Sequence, residues 1–278
     1  MQSDKTSMGS LLASFFKFII GFPFFRQKFF AFHKYIFKPY HLFNGVKKSI
    51  VYRGNIILNL DLDDWIQQQL YFVGDYEKNE IDYLYSVLQD GDTFIDVGGN
   101  IGLFSLNASR IIGINGHVYA FEAFNPNYKK FSQHLSINNL KNVTLEHLAV
   151  ADKNDYIEIL YNESYGNVGM ASLYLEDFTA KEKVKSVILD DYVRNQKITK
   201  INLIKIDIEG GEFSALQGMH EILTHYQPKI IIEINNIALK NSNHSEEELI
   251  HLLVEKGYSQ TKVLSRNENS YNAVFECL

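Results

Sequence analysis

Short apolar runs alternate with amphipathic stretches along most of this 278-residue chain. The runs are rich in β-branched and aromatic residues, which is typical of buried strands, and the stretches between them repeat apolar positions at helical spacing. This alternation predicts a parallel sheet with helices on both faces. We expect about seven sheet strands, at residues 93–96, 117–122, 143–149, 203–207, 229–234, 260–264 and 273–276.

The remaining patterns predict a β-hairpin at 49–60 and an insertion between the third and fourth sheet strands. Strand-like runs at 156–161, 172–175 and 184–189 form this insertion, which we expect to lie over the crevice and to govern substrate selectivity. Ser245 and Glu248 form a capping box, which predicts the start of a late helix. The predicted helices cover residues 79–88, 101–112, 125–138, 212–223 and 245–256.

The first fifty residues have a different character. Residues 11–25 are mostly apolar but fall short of the ~20 residues that span a bilayer, and the aromatic residues that follow are mixed with Lys and Arg. We therefore expect an N-terminal helical arm at 1–48 and a catalytic domain at 49–278. Two interpretations of the arm stay open: peripheral contact with a membrane surface through residues 8–40, or packing on protein, including a homodimer.

Charge and cysteine content narrow the functional class and the compartment. Residues 1–50 hold eight Lys or Arg and one Asp, a charge of +7, and because the whole chain carries −6, the remainder carries −13. An acidic body argues against a nucleic-acid groove. Cys277 is the only cysteine, which excludes an intrachain disulfide framework and a structural zinc site. A reducing cytoplasm fits best, at the inner face of the membrane if the arm binds lipid.

An acidic residue closes each of the first two sheet strands. Asp96 precedes a turn that contains Gly98, Gly99 and Gly102, and Glu122 ends the next strand. Carboxyl ends of parallel strands face one crevice, glycines let a ligand approach the backbone, and a carboxylate there can accept two hydrogen bonds from a ribose. The spacing does not fit G-x-G-x-x-G. These features favour S-adenosylmethionine, which has a ribose and no phosphate, over a purely structural turn.

Further acidic residues follow the fourth and fifth strands. Asp207, Glu209 and Glu212 lie within six residues after a buried run that also contains Lys205, and Glu233 lies in the next strand. The helix macrodipole accounts for the two glutamates after Asp207 but poorly for Asp207 itself. We therefore expect Asp207 in the site.

A divalent cation is left open and is not predicted. Asp190, Asp191, Asp207 and Glu233 offer oxygen ligands of the kind that magnesium accepts. Their convergence in space does not follow from their positions in the chain, so the metal ligands stay unknown.

Together these segments resemble the FkbM-type S-adenosylmethionine-dependent methyltransferases. The resemblance covers about residues 70–265 and is carried, in this order, by FIDVGGNIG at 94–102, AFEA at 120–123 with Pro126, LDDY at 189–192, IKIDIEGGE at 204–212 and IEIN at 232–235. It implies a class I, Rossmann-like sheet with a reversed last strand. The family usually has alanine where Gly99 stands, a difference that we expect not to matter.

The resemblance also implies roles for individual residues. Those that look like cofactor-binding positions are Tyr76, Glu77, Asp96, Gly98, Asn100, Gly102, Glu122, Ala149 and Asp207. Glu122 would accept the ribose, Ala149 would border the adenine, and the 96–102 loop would face the methionine moiety. The predicted catalytic residues are Asp207, Glu209, Glu233 and Lys205.

The expected activity is O-methylation of a sugar, a glycan or a natural-product acceptor, by in-line methyl transfer with a carboxylate as base. Two alternatives stay open. One is an RNA or protein methyltransferase, which the acidic body disfavours, and the other is a cofactor-binding subunit without catalysis, which the intact acidic residues in every motif disfavour.

Overall fold

The computed structural model describes residues 2–162 and 178–277. The chain divides into two compact units, with the division between Lys78 and Asn79. The unit that contains the predicted arm therefore extends well past residue 48, and the boundary at 48 and 49 stays a prediction. The strand expected at 172–175 lies outside the described residues.

The N-terminal unit consists of helices followed by a hairpin. Its elements are α1 (Gln2–Ile20), α2 (Pro23–Arg26), α3 (Phe29–Phe32), a π-helical turn (His33–Phe37), β1 (Lys47–Tyr52), β2 (Ile56–Asp61) and α4 (Trp65–Phe72). The two strands pair antiparallel, from Lys47 opposite Asp61 to Tyr52 opposite Ile56. This pairing confirms the predicted hairpin.

Aromatic side chains form the core of this unit. Phe37 is buried and contacts Phe16, Phe43 and Phe72, with ring centroids 4.9, 4.8 and 5.2 Å away. Edge-to-face and tilted ring pairs at these distances stabilise a core beyond the area that they bury. Asp64 caps α4 by accepting a hydrogen bond from the backbone N–H of Gln67 at 2.9 Å. Part of the aromatic content of the arm therefore stabilises the core of the N-terminal unit.

The second unit is an α/β domain. Its elements are α5 (Lys78–Val87), β3 (Thr93–Val97), α6 (Leu103–Ile112), β4 (His117–Phe121), α7 (Asn125–Ile137), β5 (Val143–Glu146), β6 (Ala149–Val150), β7 (Tyr156–Tyr161), β8 (Ala180–Val187), α8 (Leu189–Asn195), β9 (Leu203–Ile206), α9 (Glu212–Gln217), a π-helical turn (Ile222–Tyr226), β10 (Lys229–Asn235), α10 (Asn236–Asn241), α11 (Glu246–Glu255), β11 (Tyr258–Arg266) and β12 (Ser270–Cys277).

Within the described residues, seven strands form one mixed sheet in the order β11-β12-β10-β9-β3-β4-β5. The strands from β10 to β5 run parallel, and β12 runs antiparallel to both of its neighbours. This is the predicted class I, Rossmann-like sheet with a reversed last strand. Because β3, β4, β9 and β10 are parallel, their carboxyl ends lie at the same edge, where the predicted site residues follow.

Several element boundaries differ from the prediction. The third sheet strand ends at Glu146, because Ala149 and Val150 pair instead with β8 in a separate sheet. The strand expected at 184–189 stops at Val187, and the chain then turns into α8. The helix expected at 212–223 ends at Gln217. Gly218 follows it and packs closely on the chain, because an added Cβ there would lie 2.3 Å from the carbonyl oxygen of Ala151.

Candidate active site

The turn after β3 packs directly on the backbone that follows β9. The N–H groups of Gly98 and Gly99 both donate to the carbonyl oxygen of Phe121, each at 3.0 Å. Gly98 has a φ of +87°, and a Cβ built on it would lie 1.9 Å from the carbonyl oxygen of Asp207. Only glycine combines this dihedral with this approach. The turn predicted to bind the cofactor and the segment with the predicted base therefore touch through their backbones.

The other side of this turn rests on Phe131 of α7. Cβ atoms built on Gly99 and Gly102 would lie 2.8 and 2.3 Å from carbon atoms of the Phe131 ring. The expectation that alanine could replace Gly99 without effect is therefore wrong here, because the ring would have to move. Buried His134, one turn further along α7, forms a hydrogen bond of 2.8 Å between its Nδ1 and the carbonyl oxygen of Ile101.

Asp96 is buried at the end of β3. Its Oδ2 accepts a hydrogen bond of 2.6 Å from the hydroxyl of Ser105, and its Oδ1 is buried without a hydrogen-bond partner among the described residues. Burial raises the pKa of Asp96, and the Lys205 ammonium, on the residue paired with it in β9, opposes part of that shift. A buried acceptor without a donor disfavours the folded protein unless a ligand supplies one. An ammonium or hydroxyl of the cofactor has the required chemistry.

Glu122 ties the glycine turn to the start of α7. Its Oε2 accepts from the backbone N–H of Asn100 at 2.6 Å, and its Oε1 accepts from that of Phe124 at 2.8 Å. Each carboxylate oxygen keeps a second lone pair, so the group can still accept two ribose hydroxyls. Burial raises the pKa of Glu122 to about 8, although both N–H groups favour the ionised form.

Lys205 and Asp207 form an ion pair at the end of β9. The Lys205 Nζ lies 2.7 Å from Asp207 Oδ2 and 4.5 Å from the centroid of the Phe104 ring. The lysine side chain is 3% exposed and that of Asp207 is 23% exposed. A buried ammonium needs an anionic partner. Lys205 therefore holds Asp207 in a fixed orientation while the carboxylate remains open to a ligand.

Three carboxylates converge beside this ion pair. One oxygen each of Asp207, Glu209 and Glu233 lies within 4.8 Å of the others, and all three residues are half-buried. Glu209 adopts a left-handed backbone, with a φ of +52°, in the turn after β9. Oxygen atoms at these separations could accept hydrogen bonds or a proton from hydroxyl groups of a substrate, or they could hold a divalent cation. We call these three residues the carboxylate trio.

Asp190 and Asp191 have other partners and do not belong to the carboxylate trio. The Asp190 carboxylate accepts backbone N–H groups of Glu221 and Ile222, at 2.8 and 2.9 Å. Asp191 forms an ion pair of 2.9 Å with Arg194. Both residues therefore fasten α8 and the neighbouring segment, which explains an acidic pair at a helix start without a ligand.

The buried side chain of Glu212 shapes the turn after β9. Its two carboxylate oxygens accept the backbone N–H groups of Ile208 and Gly210, at 2.9 and 3.0 Å. Burial raises the pKa of Glu212 to about 7. This carboxylate thus closes the turn on itself and places Glu209 in the trio. The macrodipole explanation of Glu212 missed this role, because the sequence shows only an acidic residue at a helix start.

The three remaining predicted cofactor-binding residues have different surroundings. Ala149 packs in a small apolar cluster with Phe124, Ile159 and Val184. Tyr76 and Glu77 belong to the N-terminal unit, where the neighbouring Asp75 pairs with Arg53 at 3.3 Å. The cofactor roles of Ala149, Tyr76 and Glu77 stay predictions.

Comparison with known proteins shows to which enzyme family the chain belongs. The family model described as Methyltransferase FkbM domain matches residues 96–259, which is more than half of the chain and includes the glycine turn and the carboxylate trio. The chain belongs to the FkbM methyltransferase family. It is accordingly a methyltransferase that uses S-adenosylmethionine, and the buried acceptor on Asp96 and the carboxylate of Glu122 fit that cofactor.

Individual relatives are distant. The protein named Methyltransferase 1 from Beauveria bassiana (strain ARSEF 2860) is 24% identical over 177 residues, which cover 55% of this chain and 70% of that protein. The structure of Methyltransferase FkbM from Methylobacillus flagellatus KT has a TM-score of 0.48 and 14% identity, over 76% of this chain and 55% of that one. A SAM dependent methyltransferase from Aquifex aeolicus has a TM-score of 0.46 and 15% identity, over 78% and 95%.

Glu122 leads to a prediction about pH. We expect the affinity for S-adenosylmethionine to rise as the pH is raised from 6 towards about 8 and then to level off. Below about pH 8 the free protein holds a proton on Glu122, whereas ribose hydroxyls donate best to the ionised carboxylate, so binding must release that proton. The affinity should change by up to about tenfold per pH unit in this range. Calorimetric titration at several pH values measures it.

Glu122→Gln supplies the baseline for this experiment. The α-amino group of the ligand titrates near the same range, at about 7.7–8.0, and its contribution remains in the variant. We expect the variant to bind more weakly at pH 8 and to lose the part of the pH dependence that Glu122 contributes. Glu247→Gln, at an exposed position of α11, should behave as wild type. Identical pH profiles for wild type and Glu122→Gln would contradict the ribose contact.

Proposed function

We propose that the protein methylates a hydroxyl group of a sugar, a glycan or a similar polyhydroxylated natural product. The observation that carries this proposal is the carboxylate trio, whose oxygens lie within 4.8 Å of one another beside the glycine turn. Bound S-adenosylmethionine supplies the electrophilic methyl group. A hydroxyl is a weak acid, so its proton must be removed as the bond from oxygen to carbon forms, and a positioned carboxylate can accept it.

The three residues of the trio would have different roles in this reaction. Asp207 is the proposed base, because the ion pair with Lys205 fixes its orientation and its side chain remains partly exposed. Glu209 and Glu233 would accept hydrogen bonds from other hydroxyls of the same acceptor, because a carboxylate oxygen has more than one lone pair. Several acceptor oxygens side by side complement a ligand that carries several hydroxyl donors. Holding the acceptor in line with the methyl group contributes much of the acceleration in such a site.

Charge supports a small or carbohydrate acceptor over RNA. The chain after residue 50 carries −13, and three of its carboxylates form the trio, at the place where an acceptor would lie. A phosphate backbone would be repelled there, whereas neutral hydroxyl groups would not. RNA and protein acceptors therefore serve as comparisons in the experiment.

Incubation with S-adenosylmethionine labelled in its methyl group tests the proposal. Separate reactions would contain nucleotide sugars, oligosaccharides, a glycolipid extract, total RNA and unfolded protein. We expect label in a carbohydrate fraction, in a form that resists mild alkali, because methyl ethers survive treatment that hydrolyses methyl esters. Label in RNA or protein, or label that alkali removes, would contradict the proposal. Mass spectrometry of the product then identifies the methylated position.

A further inference from the structure

One side of α1 presents large apolar side chains to solvent. Leu11, Phe15, Phe18 and Phe22 are 71, 57, 67 and 49% exposed. Their spacing of three and four residues places them on one stripe, which continues into the turn after the helix. We call these four residues the outer stripe. The opposite side of the helix packs inside the N-terminal unit, where Ala13 and Ile20 are fully buried.

Three polar residues in the described part of α1 contact other parts of the unit. The Nζ of Lys48, from the hairpin, lies 2.7 Å from the hydroxyl of Ser10 and 3.2 Å from that of Ser14. The Nζ of Lys17 lies 4.2 Å from the centroid of the Tyr71 ring. A water-exposed helix normally turns its polar side outwards. Here Ser10, Ser14 and Lys17 contact other parts of the unit, although Ser14 and Lys17 are also exposed, and the outer stripe next to them faces solvent. An apolar stripe in that position suits a helix covered by an apolar medium.

The segment after α1 continues this surface and adds positive charge. Its exposed aromatic side chains are Phe24, Phe30, Tyr35 and Tyr40, and its exposed basic side chains are Arg26, Lys28, Lys34 and Lys38. The Nζ of Lys28 lies 4.2 Å from the centroid of the Phe24 ring, so basic and aromatic groups lie side by side. From Lys5 to Leu60 the sequence contains no Asp or Glu.

We propose that residues 8–40 bind the surface of a membrane that contains anionic lipids. The outer stripe would enter the boundary between headgroups and acyl chains, and the basic residues would contact the headgroup phosphates. No helix among the described residues is long and apolar enough to cross a membrane. The proposal concerns the N-terminal unit alone and does not depend on the acceptor proposed above.

The charge of this surface favours an anionic membrane over a second copy of the chain as its partner. A symmetric dimer through this surface would bring the same patch from both copies together. That patch belongs to a stretch of sequence, residues 5–60, that has Lys and Arg but no Asp or Glu. Like charges placed together oppose such an interface. An anionic lipid surface offers the opposite charge and an apolar layer at the depth that the outer stripe requires.

Vesicle sedimentation with the full chain tests the proposal. The probes are vesicles of phosphatidylcholine alone and of phosphatidylcholine mixed with phosphatidylglycerol. We expect binding to the mixed vesicles, weaker binding to the neutral ones, and a decrease at high salt. Phe15→Ser combined with Phe18→Ser should weaken binding about tenfold or more. Ile114→Ser combined with Val254→Ser, at exposed apolar positions of the other unit, should leave binding unchanged.

A charge variant tests the proposal independently of the aromatic side chains. Lys34→Gln with Lys38→Gln should weaken binding to mixed vesicles about tenfold, whereas Lys153→Gln with Lys240→Gln, also exposed, should not. Far-UV circular dichroism shows whether each variant is folded. Failure of the wild type to bind mixed vesicles, or equal effects of the two lysine pairs, would overturn the proposal. A dimer that Phe15→Ser with Phe18→Ser converts to a monomer, without any change in vesicle binding, would also overturn it.

Discussion

Asp207→Asn is expected to reduce turnover about 10²–10⁴-fold, the usual contribution of a positioned general base. The amide has nearly the same shape as the carboxylate but cannot accept the proton that the acceptor hydroxyl loses. The proposed cofactor-binding residues Asp96 and Glu122 lie at the ends of other strands, β3 and β4. The affinity for S-adenosylmethionine should therefore change much less than turnover. Single-turnover kinetics with the acceptor, together with calorimetric titration of the cofactor, measures both quantities.

Asp191→Asn is the matched control, because its carboxylate pairs with Arg194 in α8 and takes no part in the trio. It should leave turnover close to that of the wild type. Unchanged turnover in Asp207→Asn would remove Asp207 from the chemistry. An equal loss of turnover and cofactor affinity would instead give it a cofactor-holding role.

Treatment with a chelator distinguishes two possible roles of Asp207, a general base and a metal ligand. If Asp207 accepts the proton directly, a chelator should not affect the wild-type enzyme. Loss of turnover that added magnesium restores would instead assign the carboxylate trio to cation binding, for which its oxygen atoms are suitably spaced.

The sheet could be predicted because its signals are local. Buried parallel strands read as continuous apolar runs, and the capping box of Ser245 and Glu248 needs only three residues of separation; both were confirmed. Strand order then brings acidic residues from β9 and β10 to one edge, as the trio shows. The prediction failed where distant segments decide, as at Ala149, which pairs with β8 instead of extending the third sheet strand.

Roles of individual acidic residues were harder to predict, because the sequence gives no indication of which backbone groups a carboxylate meets. Asp190 and Glu212 both lie in the first turn of a helix that follows a strand, and both accept two backbone N–H groups. Asp207 stands in a similar sequence context but pairs with a buried lysine and stays partly exposed. Burial and the available donors separate structural acidic residues from those of the trio, and both depend on tertiary packing.

Gly98→Ala should destabilise the second unit strongly, by about 3 kcal/mol or more. A left-handed backbone disfavours alanine by roughly 1–2 kcal/mol, and forcing an extra methyl group into a packed site adds about 1–3 kcal/mol. The methyl group would lie 1.9 Å from the carbonyl oxygen of Asp207 and could not be relieved by a side-chain rotation, because the opposing atom belongs to the backbone. Urea unfolding gives the change in the free energy of unfolding.

Gly91→Ala is the matched control for this experiment, because it isolates the backbone strain from the clash. Gly91 has a φ of +82°, close to that of Gly98, but its added Cβ would come no nearer than 3.9 Å to Asn115. It should therefore lose only about 1–2 kcal/mol. Equal losses in the two variants would mean that the turn can move away from Asp207.

A larger loss in Gly98→Ala has a consequence for function as well as for stability. Relief of the clash would separate the cofactor turn from the segment that carries Asp207, and a small displacement between reacting groups is enough to slow methyl transfer. Any folded Gly98→Ala protein should accordingly lose turnover as well as stability, whereas Gly91→Ala should keep its turnover. The close backbone contact at Gly98 would then be what sets the distance between the methyl donor and the base.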